Sequence, residues 1–511
     1  MNEAVTTLRF WDGIAVFLYA ASMVALAMWS SKRIKAEGTE GFFVGGRAIP
    51  GWAVGLSMLG TAISSITFLA YPGSAYAGDW SRLVPGLMLP VTAMIALRYF
   101  VVFYRKTLFR SAYEYFNRRF GAWGRSYASA LFILGSIYRM GIILFLISIA
   151  VTGMTGWGMT TVMIVVGALI VLYTAVGGLE AVIWTDVLQT IVLMFGGVIT
   201  LVIVFWGVEG GVSAVVGQAW DAGKFNLSVD FDFSLVKLTF WTFALMGLVG
   251  NVQEFSTDQT KIQRYAAAKD DKGALTSVLT VGFGCIPIWG MFMLVGTVLW
   301  VYFQVHPDSV VSGLKADAVY PHFILTRMPP FLGGVVISAV LAAAMSSIDS
   351  SMNGSATVIT EDFFRRYISL DRSDEYYLKA ARYITGGLGV LMVVTAYLLS
   401  LVGETTILDL GMFVGAVLTG GLGGFFLLGF VSTRTNWQGA LIGVALTFTF
   451  TLWAGLSALG ALPEWMALPI QRFFIGVVAN VLLFGVGYLS SYFFPPPSEE
   501  QLHRMTWWTR E

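Results

Sequence analysis

The residues best suited to chemistry in this chain are hydroxyls, a few carboxylates and one arginine, all set within apolar runs. Residues 342–353 read Ala-Ala-Ala-Met-Ser-Ser-Ile-Asp-Ser-Ser-Met-Asn, which on a helix puts small residues and hydroxyls over much of one face. Sodium is a hard cation that takes about five or six oxygen ligands, and neutral hydroxyls and carbonyls supply them with little fixed charge. Ser346 and Ser347, with the carbonyls of Gly60 and Ile63, suit that task. Asp349 adds a formal charge inside an apolar run, which is costly unless it is paired or faces a cavity. Asp186 follows Trp184 and Thr185 near the start of another apolar run, and Arg139 stands with roughly a dozen apolar or small residues on either side. A guanidinium there keeps its charge, so it either pairs with a protein carboxylate or faces a water-filled cavity where an anionic solute completes the pair.

Two apolar runs read as poor continuous helices. In Gly60 to Thr67 a glycine and several hydroxyls crowd the middle, and in Gly247 to Glu254 glycines precede Asn251, Gln253 and Glu254. Membrane helices unwound at corresponding places in two halves expose backbone carbonyls to ions and solute at the bilayer midplane. The alternative is small-residue packing, with Ser and Thr bonded to their own backbone.

The elements that must position these residues are membrane helices. The 511 residues are 57% hydrophobic and 12% charged, with a mean hydropathy of +0.74, which excludes a water-soluble domain. A hydrocarbon core of ~30 Å needs ~20 apolar residues per helix. On that measure the chain divides into thirteen spans: 10–30, 50–71, 83–103, 126–151, 158–176, 182–206, 238–255, 274–303, 332–360, 383–402, 407–431, 437–460 and 470–494. The first is expected to be a retained span and not a signal peptide, having one early basic residue, Arg9, and no small-residue cleavage site. Four spans separate the two interrupted ones, the offset of a five-plus-five repeat.

With the N-terminus outside, inside segments hold 22 of the 31 Lys and Arg, outside segments six, and spans the remaining three, Arg98, Arg139 and Arg472. The positive-inside rule therefore predicts an external N-terminus and a cytoplasmic C-terminus. A net charge of +1 gives no nucleic-acid footprint. One cysteine, Cys285, and histidines only at 306, 322 and 503 offer no thiol chemistry, Cys-based zinc site or catalytic constellation, so no enzyme activity is expected. The glycines at 420, 421, 423 and 424 lie in an apolar span with no strand before them, which points to packing or a hinge and not a phosphate loop.

At these residues the chain resembles the sodium/solute symporter family, over nearly its whole length. The marks are Gly51 to Gly55, the segment Gly177 to Asp186, the stretch Asn251 to Tyr265 with Gln263, Arg264 and Tyr265, and the serine-rich helix. Ser64 to Phe68, the Asp79–Trp80 pair and an arginine at 139 are most similar to the bacterial sialic acid carriers. The resemblance implies an all-α polytopic membrane protein with a five-plus-five inverted-repeat (LeuT-like) core: a leading helix 10–30, repeats 50–206 and 238–431, two trailing helices within 437–494 and a cytoplasmic tail 495–511. It implies a main sodium site at Gly60, Ile63, Ala343, Ser346 and Ser347, and a second sodium region near Asp186, Asp349 and Ser350. It implies a solute site touching Ala62, Ser64, Thr67, Arg82, Gly86, Arg139 and Asn251. Arg82 and Gly86 stand where the sialic acid carriers have an aromatic and an amide, and Asp349 stands where they have a serine. Pro85 and Gly86 replace the acidic and aromatic ligands of the sugar carriers, which disfavours a neutral hexose.

The function expected is sodium-coupled symport of a small carboxylated solute by alternating access in a bacterial inner membrane, with sialic acid the first candidate and a sugar or short monocarboxylate the alternatives. The partners expected are solute, sodium and lipid. A channel or a transporter-like sensor is the competing class, but a sensor would need a signalling domain and the tail after Pro495 is too short for one.

Overall fold

The computed structural model describes residues 8–107, 109–227, 230–237, 239–402 and 420–509, and among them the secondary structure is helical with two isolated bridges. The α-helices run in order α1 (Phe10–Val44), α2 (Gly51–Ala62), α3 (Ser65–Ala77), α4 (Leu89–Ala96), α5 (Val102–Thr107), α6 (Glu114–Phe120), α7 (Ala122–Thr155) and α8 (Met159–Gly207). They continue with α9 (Gly211–Asp221), α10 (Phe240–Thr257), α11 (Gln259–Ala267), α12 (Asp271–Val305), α13 (Ala316–Arg327), α14 (Leu332–Val358) and α15 (Asp374–Val402). The last four are α16 (Leu422–Val431), α17 (Trp437–Ala458), α18 (Ile475–Ser490) and α19 (Glu499–Leu502).

Among the described residues nine helices are long and apolar enough to cross a membrane, or ten when the bent pair α2–α3 counts as one span. One of the nine, α8, has 49 residues, about 73 Å of helix and too long for a single crossing. Gly178 divides it with φ 50° and ψ −155°. A Cβ there would also stand 2.7 Å from the Phe42 ring, so only glycine makes this turn without strain. The 18-residue α10 spans about 27 Å and supplies a further crossing. With these, twelve crossings are found among the described residues, and the thirteenth is the span expected at 407–431. That last span lies outside the described residues as far as 419 and ends in α16.

The leading helix is fastened to the core by a buried carboxylate. Asp12 accepts from the backbone N–H groups of Phe331 and Gly334, both at 2.9 Å. It thereby caps the N-terminus of α14, whose first N–H groups lack intrahelical acceptors and whose dipole favours a negative charge. Arg9 completes the joint, donating to Asp12 at 2.6 Å and to the Met328 carbonyl at 2.7 Å.

The first interrupted span is broken as expected. α2 ends at Ala62, Ile63 and Ser64 are extended, and α3 begins at Ser65, with the two halves inclined by 52°. The second differs. α10 is helical from Phe240 through Thr257, so the expected interruption at Gly247 to Glu254 is absent, and the chain breaks instead at Asp258. Gly247 serves packing: a Cβ on it would lie 2.3 Å from the Pro85 carbonyl oxygen. Asp258 restarts the chain by accepting from the Thr260 N–H at 2.8 Å, which caps α11.

Candidate functional site

The break in the first core helix lies against the serine-rich face of α14. Ser346 Oγ donates to the Gly60 carbonyl at 3.0 Å and lies 3.4 Å from the Ala343 carbonyl. Ser347 Oγ donates to the Thr61 carbonyl at 3.2 Å. Ile63, Ala343, Ser346 and Ser347 are all buried, and Ile63 is in extended conformation at the break. Two hydroxyls and several carbonyl oxygens thus meet where the helix ladder is interrupted, a donor set whose hardness fits sodium. Thr61 joins this group through its carbonyl, which the sequence did not single out.

Next to the cradle lies a buried charge network centred on Arg264. Its Nη2 pairs with Asp186 Oδ2 at 2.8 Å, both side chains being at most 1% exposed. The same nitrogen donates to Ser350 Oγ at 2.6 Å and Thr61 Oγ1 at 3.1 Å, while Nε donates to Ser57 Oγ at 2.9 Å and Nη1 to the Thr260 carbonyl at 2.8 Å. Ser57 Oγ in turn donates to Asp186 Oδ2 at 2.6 Å. Asp349 takes Tyr173 OH at 2.8 Å and, more weakly, Ser350 Oγ at 3.3 Å. The expected second cation region, Asp186, Asp349 and Ser350, is therefore one connected cluster that contains an arginine. Two carboxylates face one guanidinium, which leaves the cluster formally one positive charge short. Asp186 Oδ1 is buried without a hydrogen-bond donor, an acceptor free for a cation.

The expected spans 238–255 and 274–303 leave Arg264 in the connection between them. α11 instead folds back beneath the break and buries it, and the one sequence signal was its place in the Gln263-Arg264-Tyr265 motif.

The expected solute residues are less tightly grouped. Ala62, Ser64 and Asn251 are half-buried and Thr67 is buried. Ser64 caps α3 with its backbone, its carbonyl accepting from Phe68 N–H at 3.1 Å. Arg139 is 43% exposed and meets Asp258 at 3.5 Å, longer than a good charged hydrogen bond. Its protein partner is thus present but loosely held. Nearby, Glu254 pairs with Lys261 at 2.8 Å. Gly86 is buried, and a Cβ there would come within 2.5 Å of the Trp289 ring, so an aromatic from α12 fills the space of the missing side chain. Arg82 is exposed. No hydrogen bond or ion pair between these seven residues is present in the described structure.

Comparison with known proteins agrees with this architecture. The sequence model of the Sodium:solute symporter family matches residues 42–446. The sodium/sialic acid symporter NanT of Aliivibrio fischeri is 30% identical over 485 residues, 94% of this chain and 93% of its own. The sodium/sialic acid symporter SiaT of Proteus mirabilis is 30% identical over 495 residues, 96% of this chain and 97% of its own. The solved substrate-bound, outward-open structure of a Na+-coupled sialic acid symporter superposes with a TM-score of 0.85 at 29% identity, covering 96% of this chain and 99% of that one. The fold is accordingly the five-plus-five inverted-repeat core with one leading and two trailing helices, and the relatives are transporters, not enzymes. A match over most of the length, with a broken helix facing a serine-rich one, means that this multi-pass membrane protein belongs to the sodium:solute symporter family.

Proposed function

We propose that the chain couples the inward movement of sodium to that of a small carboxylated solute, sialic acid first, by alternating access around the broken α2–α3 span. The observation that carries the coupling is the cradle in which Ser346 Oγ lies 3.0 Å from the Gly60 carbonyl. The main sodium site is Gly60, Ile63, Ala343, Ser346 and Ser347. The second region is Asp186, Asp349 and Ser350, supported by the charge deficit around Arg264 and the unpaired Asp186 Oδ1. The sialic acid reading rests on what NanT and SiaT are named for transporting and on the loosely paired Arg139. Ala62, Ser64, Thr67, Arg82, Gly86 and Asn251 complete the proposed solute site. The repeats are assigned to 50–206 and 238–431.

A tenfold sodium gradient supplies ~1.4 kcal/mol and 100 mV supplies ~2.3 kcal/mol per charge, so each sodium contributes ~3.7 kcal/mol. One sodium moved with a monoanion carries no net charge and supports only about tenfold accumulation. Two give ~5.1 kcal/mol, enough for several thousandfold. In proteoliposomes, Ser346→Ala with Ser347→Ala is expected to raise the sodium concentration for half-maximal uptake more than about tenfold, as two hydroxyl ligands are lost. Uptake that persists unchanged in potassium buffer with a proton gradient would overturn the sodium reading. A Hill coefficient for sodium near one, with electroneutral uptake, would remove the second sodium alone.

The proposed orientation places the N-terminus outside and the tail in the cytoplasm of a bacterial cell. Reporter fusions after Lys272 and after Arg366 are both expected to read cytoplasmic, and an external signal from either reverses the assignment.

A further inference from the structure

A cavity of about 430 Å³, lined by no residue of the broken helix, lies between the end of the third span, α6 and the C-terminal tail. Lys106, Arg118 and Arg504 line it beside Tyr99, Phe103 and Thr107, and among the described residues no carboxylate does. None of the three cations forms an ion pair among the described residues. Each is exposed, and Arg118 rests on the Phe109 ring at 4.9 Å. Three like charges gathered on one concavity repel one another unless an anion joins them.

The tail is held so as to deliver its arginine. Trp507 N–H donates to the Phe430 carbonyl at 2.8 Å, its ring packs on Tyr99 with centroids 4.4 Å apart, and Trp508 Nε1 donates to the Val431 carbonyl at 2.7 Å. Arg504 itself adopts φ 57°, an uncommon conformation for a residue with a side chain. A turn in which its N–H donates to the Thr509 carbonyl at 3.0 Å holds it there. The Trp508 ring is 67% exposed and Phe493 is 86% exposed, as expected of aromatic groups at a membrane–water boundary.

We propose that this cavity binds an anionic phosphate group, held by the two guanidinium forks and the Lys106 ammonium. Guanidinium matches phosphate oxygens two at a time, and the ammonium adds a point charge. The two sources of such a group are the headgroup of an anionic phospholipid in the adjoining leaflet and a soluble phosphate. The site at a helix end beside exposed aromatics is of the kind that takes up lipid headgroups.

The test is thermal unfolding of purified, delipidated full-length protein in neutral detergent. Phosphatidylglycerol, phosphatidylcholine, or potassium phosphate against potassium chloride of equal ionic strength is added to wild type and to the Lys106→Gln, Arg118→Gln, Arg504→Gln triple variant. A rise of several degrees with phosphatidylglycerol and not phosphatidylcholine, mostly lost in the variant, supports a lipid headgroup. An equal, variant-sensitive rise with potassium phosphate supports a soluble phosphate. Equal shifts in wild type and variant, or no shift with either anion, overturn the proposal. Lys272→Gln, a basic residue that does not line the cavity, should respond as wild type. Each single variant is measured as well, so a triple variant that fails to fold does not decide the matter.

Discussion

Removing either Arg264 or Asp186 alone is expected to lower stability by about 3–5 kcal/mol, because each deletion leaves the other charge buried without its direct partner. The pair is 2.8 Å apart and at most 1% exposed, so solvent cannot take over the role of the missing partner. Thermal unfolding in detergent, followed by tryptophan fluorescence, should show Arg264→Ala and Asp186→Ala melting well below wild type. Arg264→Met combined with Asp186→Asn should recover part of the loss, since the two directly paired charges are removed together while Asp349 keeps its Tyr173 and Ser350 donors. Arg264→Lys is expected to stay destabilised: an ammonium can meet Asp186, but it cannot also span Ser57, Thr61 and Ser350 as the planar fork does. Single variants that melt with wild type would show that the network does not hold the break in place.

Replacing Arg139 is expected to cost an anionic solute at least ~30-fold in affinity, corresponding to ~2–5 kcal/mol for losing one partner of a desolvated charge pair. Arg139→Lys should fail nearly as badly as Arg139→Ala, because planar bidentate pairing is what a guanidinium provides and an ammonium does not. The separation of 3.5 Å from Asp258 makes the alternative concrete: the arginine could serve this carboxylate instead of a solute. Binding of a sialic acid and of its carboxamide, each measured in sodium, separates the two. A loss confined to the acid supports solute recognition. Equal losses for both, with a lowered melting temperature shared by Asp258→Asn, assign Arg139 to the internal pair.

The membrane spans were readable because bilayer thickness fixes helix length, and the pair of chemically similar neighbours at 346 and 347 was readable because small hydroxyl residues are an unusual way to fill a core helix. The broken first span was legible for the same reason. The second was misread because a glycine has the same signature whether it unwinds a helix or admits a neighbour, and Gly247 admits Pro85. The burial of Arg264 was not legible, since it falls between the spans 238–255 and 274–303 and nothing local reports that α11 packs under the site. The partner of Asp349 was out of reach as well: Tyr173 stands 176 residues earlier, and only the fold brings the two together. The Trp289 ring in the space beside Gly86 belongs to the same class of long-range facts.

The Asp12 cap on α14 has a consequence for biosynthesis. Translation reaches Asp12 319 residues before its partner Phe331, an interval of about 16–64 s at ~5–20 residues per second. During that time the first helix holds an apolar-phase carboxylate whose N–H donors have not yet been made. Arg9, three residues earlier and 2.6 Å away, is available from the start. The ion pair thus shelters the carboxylate during insertion and persists once the N-terminus of a helix synthesised much later joins it.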